Sequence, residues 1–442
     1  VVLGGEEELI PEPDEEELML MNAQSWIEEL PDTEKDEQPN VIFVLGESFF
    51  DVTELPGVSY AEDPVADFHR ICSEGVSGKS YTHTLGYGTE NIELEIMTGI
   101  NTRFFSWDDM IYGWEQEKLL TYPSLPQLFS DAGYYTAYLH TFNDGIYNRT
   151  ALYTALGFQD MYFSGDFAAI DPEAAAAPDY WGYMYGKIAG EFYSDDYLAD
   201  VTAELFDQKA GEGPVFLWAV TMENHTPYTA DKFSSYDFPF ESDLGDEAVG
   251  VLNAVTQGVA DCSEALGKLV DYLAAQDEPV IVVFFGDHRP GTPLESGATV
   301  YSELGMCPAN VADWELEDYA ELYSTDYVIW SNDPSLLPAE PGSRMNTSST
   351  LLGVEALQMA GMDLDEYWSM CAVVDTVSDG WTWNFFVPQD GEPCFSPFAG
   401  LDEEGLDIIQ AMRVFMNSTF YGTDGPDFRD IFAGTERDTD TK

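Results

Sequence analysis

Apolar residues gather into five short runs, spaced along the chain by polar or amphipathic stretches. Val41-Ile42-Phe43-Val44-Leu45 is unbroken, the pattern of a strand buried on both faces. Tyr134–His140, Pro214–Thr221, Val280–Phe285 and Tyr327–Trp330 repeat it. Between these runs, the spacing predicts helices over Pro64–Glu74, Ser124–Ala132, about Glu247–Ala275, and Leu351–Ala360. Strand–helix alternation of this kind predicts a doubly wound α/β fold with a mostly parallel sheet. In such sheets ligands bind beyond the carboxyl ends of the strands.

One further segment stands out. Gly86-Tyr87-Gly88-Thr89 leads into Glu90–Thr98 and a terminating Gly99. Ile92, Leu94, Ile96 and Met97 do not alternate strictly, so a short helix is expected here. Thr89 then sits at or just before the helix N-terminus, where free N–H groups and the dipole favour an anion. A glycine turn before a helix is ordinary by itself; the neighbouring motifs give this one weight.

Residues 1–39 carry 14 acidic residues, one Lys and four Pro, and read as a mobile acidic arm with a short helix near Glu15–Leu20. Ala174–Ala177 and the Tyr/Gly-rich run to Gly190 read as irregular surface. Residues 435–442 read as a polar tail. The whole chain has 83 Asp+Glu against 16 Lys+Arg, a formal net charge of −67. That excess disfavours nucleic-acid binding and basic docking on anionic lipid, and reads as a solvation device. Five scattered Cys without a C-x-x-C pair exclude a disulfide scaffold and a zinc knuckle. No apolar run approaches the roughly 18 residues of a membrane span. The chain begins at Val, and the expectation is a fragment or processed product with Val1–Gly4 as the tail of a membrane helix.

Candidate chemistry collects at the strand ends. Glu47 follows the first run, His140 ends the second, Glu223-Asn224-His225 follow the third, and Asp287-His288 follow the fourth. Taken singly, each histidine has an ordinary structural reading; His83 reads as a surface loop residue and His69 as a structural helix residue. Together they place carboxylate, imidazole and hydroxyl groups along one sheet edge, a donor set suited to Mn²⁺, Mg²⁺ or Zn²⁺. A bound ion would activate the Thr89 hydroxyl, a poor nucleophile unaided. Among only eight Arg, Arg149 and Arg289 lie next to these residues. Arg149 reads as a clamp on a phosphoryl oxygen; for Arg289 a simple carboxylate pairing is as good a reading.

The order strand–Gly-Glu-Ser, Gly-x-Gly-Thr-x-Asn-x-Glu-x-Glu, His…Tyr-Asn-Arg, Glu-Asn-His-Thr-Pro and Gly-Asp-His-Arg resembles the lipoteichoic acid synthase family, sulfatase-like members of the alkaline phosphatase superfamily. The resemblance runs from about Asn40 to Ile329. It implies a catalytic domain over 40–335, with 336–434 completing it or forming a smaller C-terminal subdomain. It implies one Mn²⁺-type ion (Mg²⁺ or Zn²⁺ as alternatives) held by Glu47, Thr89, Asp287 and His288. Thr89 would be the nucleophile. His225, His140, Tyr147 and Arg149 would contact a phosphoglycerol group, with His225 also catalytic. The implied substrates are phosphatidylglycerol and a glycerol-phosphate polymer. The implied location is the extracellular face of a membrane, anchored in the full-length form, or secreted. A phosphoethanolamine-type transferase, a hydrolase of the superfamily, and a non-catalytic polymer-binding relative are the alternatives. Glu90 departs from the family pattern, which often has a small residue there; Tyr147 and Phe142 depart from Trp and Asp. No Cys begins the Cys-x-Pro-x-Arg segment of true sulfatases.

Overall fold

The computed structural model describes residues 22–31, 33, 35, 38–102, 123–145, 148–382, 384–396 and 400–420. Eight strands form the main sheet: β1 (Asn40–Gly46), β2 (Val76–Tyr81), β3 (Tyr135–His140), β4 (Asp160–Tyr162), β5 (Val215–Val220), β6 (Val280–Gly286), β7 (Ser324–Ser331) and β8 (Thr347–Ser348). Their spatial order is β8-β2-β7-β6-β1-β5-β3-β4. All pairings are parallel except those of β7, which runs against both β6 and β2. This is the doubly wound, mostly parallel sheet that the alternation predicts. The register aligns the carboxyl ends of its central strands. Gly46 lies beside Gly286, Leu45 beside Val220, and His140 beside Val220, so four consecutive strands end level with one another.

Successive residues of β1 feed opposite faces of the sheet. Val41, Phe43 and Leu45 join a core with helices α2 (Thr89–Thr98), α3 (Leu125–Asp131), α4 (Arg149–Ala155), α7 (Leu352–Met359), α8 (Glu366–Asp375) and α9 (Glu403–Phe420). Ile42 and Val44 join the other core, closed by α1 (Ala66–Glu74), α5 (Asp195–Lys209) and α6 (Asp246–Leu273). Phe43 is fully buried and stacks on Trp218 at 4.8 Å between ring centroids. Its truncation to Ala would cost about 3–5 kcal/mol.

The structure departs from the sequence-based expectations in several places. Residues 22–28 of the expected mobile arm are helical; Ala23 is buried, with Trp26, Ile27 and Leu30 packed on the first core. Four apolar side chains among the acids suffice to dock this piece. The expected helix at Glu15–Leu20 and the tail 435–442 lie outside the described residues. The Ala174–Gly190 stretch is ordered by side-chain caps. Asp171 accepts from Glu173 and Ala174 N–H to start the turn Pro172–Ala176, and Asp179 caps Tyr180–Tyr185. The strand β2, Val-Ser-Gly-Lys-Ser-Tyr, carries no apolar run. Gly78 admits the Met345 carbonyl so closely that a Cβ there would sit 1.7 Å from it. The segments α7–α9 share the first core with β1.

Candidate active site

The level ends of β6, β1, β5 and β3 gather the residues that the sequence places there. Glu47 follows β1 directly. Its backbone N–H donates to Thr221 Oγ1 at 2.8 Å, and Ser48 Oγ donates to its Oε1 at 2.9 Å. Ser48 takes a left-handed backbone, φ 53°, which is unfavourable for a residue other than glycine and recurs at functional sites. The turn aims the Ser48 N–H at Asp287 Oδ1, 2.8 Å away. Asn224 locks the same turn, donating from Nδ2 to the carbonyls of Glu47 and Ser48, each at 3.3 Å. Asn224 fits because α6 has no side chain at Gly258; a Cβ there would lie 2.2 Å from Asn224 Oδ1.

Thr89 is the first residue of α2. Gly88, with φ 91°, turns the chain into the helix, a conformation natural for glycine. The Thr89 hydroxyl then lies 3.4 Å from Glu47 Oε2. Among the described residues, Glu47, Asp287 and His288 form the one group of three whose donor atoms, one from each, all lie within 4.8 Å of one another. Asp287 Oδ2 is buried and accepts no hydrogen bond, although His288 Nε2 is 3.2 Å from it. Burial, and then the charge of Glu47, push the Asp287 carboxyl up to about 6. Two carboxylates and an imidazole, one oxygen left unpaired in the interior, are costly alone and suited to a divalent ion. Glu47, Asp287 and His288 therefore fit a divalent ion.

A cleft of about 350 Å³ opens from this cluster, lined in part by Glu90, His140, Phe142, Arg149, Phe192 and His225. Arg149 is almost wholly buried and donates from Nη2 to Glu93 Oε1 at 3.2 Å. Arg149 thus pairs with a carboxylate and also lines the cleft. His140 lies 3.3 Å through Nδ1 from the Val220 carbonyl. Burial, and then Arg149, hold its pKa well below the usual histidine value. The neutral ring donates from Nδ1 and leaves Nε2 as an acceptor. His225 Nδ1 similarly faces the Thr226 carbonyl at 2.8 Å, and its ring meets Phe192 edge-on at 5.4 Å.

Tyr147 lies outside the described residues. Glu47, Thr89, His140, Arg149, His225 and His288 all line the one cleft, and Asp287 completes the acidic cluster behind it. Arg289 turns away: it donates to the Ser324 carbonyl and Glu321 and lies over the Phe50 ring. His83 is not on the surface. It is buried, facing Glu95 through Nδ1 and Asn101 through Nε2, in a polar network that ties α2 to the C-terminal region. The sequence motifs include Ser48 and Glu93 without giving either a role, and they do not include Lys232. Lys232 donates to the His225 carbonyl, and burial lowers its pKa to about 8. Glu93 carries a further signal, as an acid within an apolar helix; Lys232 has none. All five thiols are free among the described residues.

The Sulfatase family model matches residues 39–354. A Rhizobium meliloti protein named "Putative cyclic beta-1,2-glucan modification protein" is 29% identical over 333 residues, covering 75% of this chain. The chain spans 47% of that relative's length. Among solved structures, the Streptococcus pyogenes phosphoglycerol transferase GacH in complex with sn-glycerol-1-phosphate is similar with a TM-score of 0.69. It is 18% identical, with 94% of each chain covered. The Listeria monocytogenes lipoteichoic acid synthase LtaP is similar with a TM-score of 0.63 and 16% identity, over 92% of this chain and 98% of that one. The chain belongs to the sulfatase family, and its fold is that of the lipoteichoic acid synthase-like members of the alkaline phosphatase superfamily.

Proposed function

We propose that this chain is a metal-dependent phosphotransferase that moves a phosphoglycerol group from phosphatidylglycerol to a glycerol-phosphate polymer, through a phosphorylated Thr89. One observation carries the reading: the Thr89 hydroxyl meets a three-residue donor cluster at the mouth of a cleft that also holds Arg149 and two histidines. The phosphoglycerol and lipoteichoic acid enzymes of like fold support it.

Glu47, Thr89, Asp287 and His288 would hold the ion, with Mn²⁺ the expected one. When bound, it lowers the pKa of the hydroxyl and offsets charge on phosphoryl oxygens. The chain's own residues supply the rest. Thr89 Oγ gives its proton to solvent in the cleft and bonds to phosphorus while the bond from phosphorus to the diacylglycerol oxygen breaks. Arg149, held in place by Glu93, presents its guanidinium to the phosphoryl oxygens. His225 gives a proton through Nε2 to the leaving oxygen, its Nδ1 being tied to the Thr226 carbonyl. In the second half, a hydroxyl of the acceptor attacks the phosphothreonine and frees Thr89, so the kinetics are ping-pong. The chemistry belongs on an extracellular membrane face, where the lipid donor resides. No helix among the described residues is long and apolar enough to cross a membrane.

The test is intact-protein mass after incubation with phosphatidylglycerol and Mn²⁺. The expected result is one phosphoglycerol adduct on wild type and none on Thr89→Ala. The variant should remain folded, since losing a helix-start hydroxyl costs about 1 kcal/mol. Turnover by Thr89→Ala at the wild-type rate ends this mechanism. An adduct that resolves only to free glycerol phosphate assigns the chain to hydrolysis, and no adduct with retained polymer binding assigns it to the non-catalytic alternative.

A further inference from the structure

Helix α2 carries three acids, and they are treated differently. Glu93 accepts from Arg149 and from Trp218 Nε1 at 3.2 Å. Glu95 accepts from Thr102 and from Ser349 at 2.6 Å, and faces His83. Both are completely buried and satisfied. Glu90, in the first turn beside Thr89, is 6% exposed and lines the cleft, yet among the described residues its carboxyl group hydrogen-bonds only its own backbone N–H, with the charges of Arg149 and His288 acting on it without a hydrogen bond. An acid so deeply buried and so poorly partnered is costly unless something entering the cleft supplies donors.

A phosphodiester supplies none, and its charge would repel the carboxylate. Arg149 and the Glu47–Asp287–His288 cluster are the groups that suit the phosphoryl oxygens. Glu90 therefore suits what the phosphate carries. Phe142, Phe192 and Met222 line the same cleft, and their apolar surface strengthens a polar contact made among them. Resting on the phosphotransferase reading above, we propose that Glu90 is a specificity-determining residue that accepts a hydrogen bond from a hydroxyl or ammonium group on the substrate headgroup. Its chemistry selects headgroups bearing a donor over those that end in a plain alkyl group.

The experiment is calorimetric binding of glycerol phosphate, ethanolamine phosphate and methyl phosphate to the Mn²⁺-loaded chain, as wild type, Glu90→Ala and Glu90→Gln. The first two probes carry a donor beyond the phosphate and the third does not. Wild type should bind at least one donor-bearing probe about tenfold or more tightly than methyl phosphate, the value of one hydrogen bond to a charged group. Glu90→Ala should narrow that ratio to within about threefold without weakening methyl phosphate. Glu90→Gln separates the two donors: its amide oxygen still accepts from a hydroxyl but offers no charge to an ammonium group. Preference for glycerol phosphate that survives in Glu90→Gln assigns the hydroxyl; preference for ethanolamine phosphate that is lost there assigns the ammonium. A wild-type ratio retained by both variants overturns the assignment, as does a wild type that binds all three probes equally, and both leave the phosphotransferase reading standing. A wild type that binds none of the three overturns that reading as well. Should Glu90→Ala lose its melting transition, the near-isosteric Glu90→Gln carries the test through the ethanolamine phosphate arm.

Discussion

Two clusters of a histidine with two carboxylates flank the end of β1, and they differ in how completely they are satisfied. In the first, His69 Nε2 meets Asp51 Oδ2 and His69 Nδ1 meets Asp63 Oδ2, both at 2.7 Å. Asp51 Oδ1 also accepts from the backbone and hydroxyl of Thr53. In the second, His288 and Glu47 surround Asp287, whose Oδ2 accepts no hydrogen bond. The groups shift for opposite reasons. His69 rises to about 9, chiefly because Asp51 hydrogen-bonds it, whereas Asp287 rises because burial, and then the charge of Glu47, outweigh the His288, Thr89 and Ser48 contacts that favour its ionised form. Residue type does not separate a structural cluster from a ligand cluster. What separates these two is that Glu47, Asp287 and His288 bring their donor atoms within 4.8 Å of one another and leave one oxygen unpaired, an arrangement a divalent ion would satisfy.

The sharpest way to break this contrast is to remove one acid from each cluster. Asp287→Ala should weaken Mn²⁺ binding at least about tenfold in calorimetry, since even changes behind a metal ligand cost 10–100-fold. Asp51→Ala should leave that affinity within about twofold but destabilise the fold by about 1–2 kcal/mol, a charged hydrogen bond discounted for the 39% exposure of its His69 partner. Equal Mn²⁺ affinities for the two variants would erase the distinction. Saturating metal provides a second comparison. At about 100 times Kd, Mn²⁺ should stabilise wild type and Asp51→Ala by about 2.7 kcal/mol, read as a rise in melting temperature that Asp287→Ala lacks.

Much of this geometry is legible in the sequence, and the remainder has physical reasons for being hidden. The runs at β1, β3, β5 and β6 are apolar throughout because both faces are buried, and their order puts Glu47, His140, His225 and Asp287-His288 on one edge. The strand β2 is invisible because its place is set by backbone ladders to β7 and β8 and by the space at Gly78, not by apolar side chains. The helices α8 and α9 carry no chemical signal, although their apolar residues fill the first core. At the site, residue types announce ligands but not the groups that aim them. Ser48 matters through a left-handed backbone, and Asn224 through bonds to two carbonyls. Neither property is a matter of composition. His83 and Arg289 are structural because of their partners, Glu95 and Glu321, which come from distant segments.

A smaller effect separates the clusters by pH. The folded pKa of His69 lies above its usual value of 6.5, so its contribution is fully present below about pH 6.5 and is lost as pH rises through about 9. Wild type should therefore lose more melting temperature between pH 7 and pH 10 than His69→Gln does. Parallel curves for the two proteins would show that the Asp51–His69–Asp63 cluster adds nothing to the fold.

The smallest effect should be common to both clusters, because it comes from the surface that surrounds them. With 83 acids against 16 basic residues, most exposed carboxylates have no cation to pair with. Their repulsion acts over a Debye length of about 30 Å at 0.01 M salt but only about 3 Å at 1 M. Salt also weakens attractive pairs such as Arg70 with Asp67, Glu74 and Asp271, but exposed pairs contribute at most about 1 kcal/mol each, and so few basic residues can form few of them. Relief of repulsion should win, and the melting temperature should rise from 0.01 M to 1 M salt. The rise should be the same in wild type, Asp51→Ala and Asp287→Ala without metal, since both substituted acids are buried away from the surface that produces it. A flat or falling melting temperature would mean that the exposed charges are already compensated in the fold, and the reading of the acidic surface as a solvation device would fail with it.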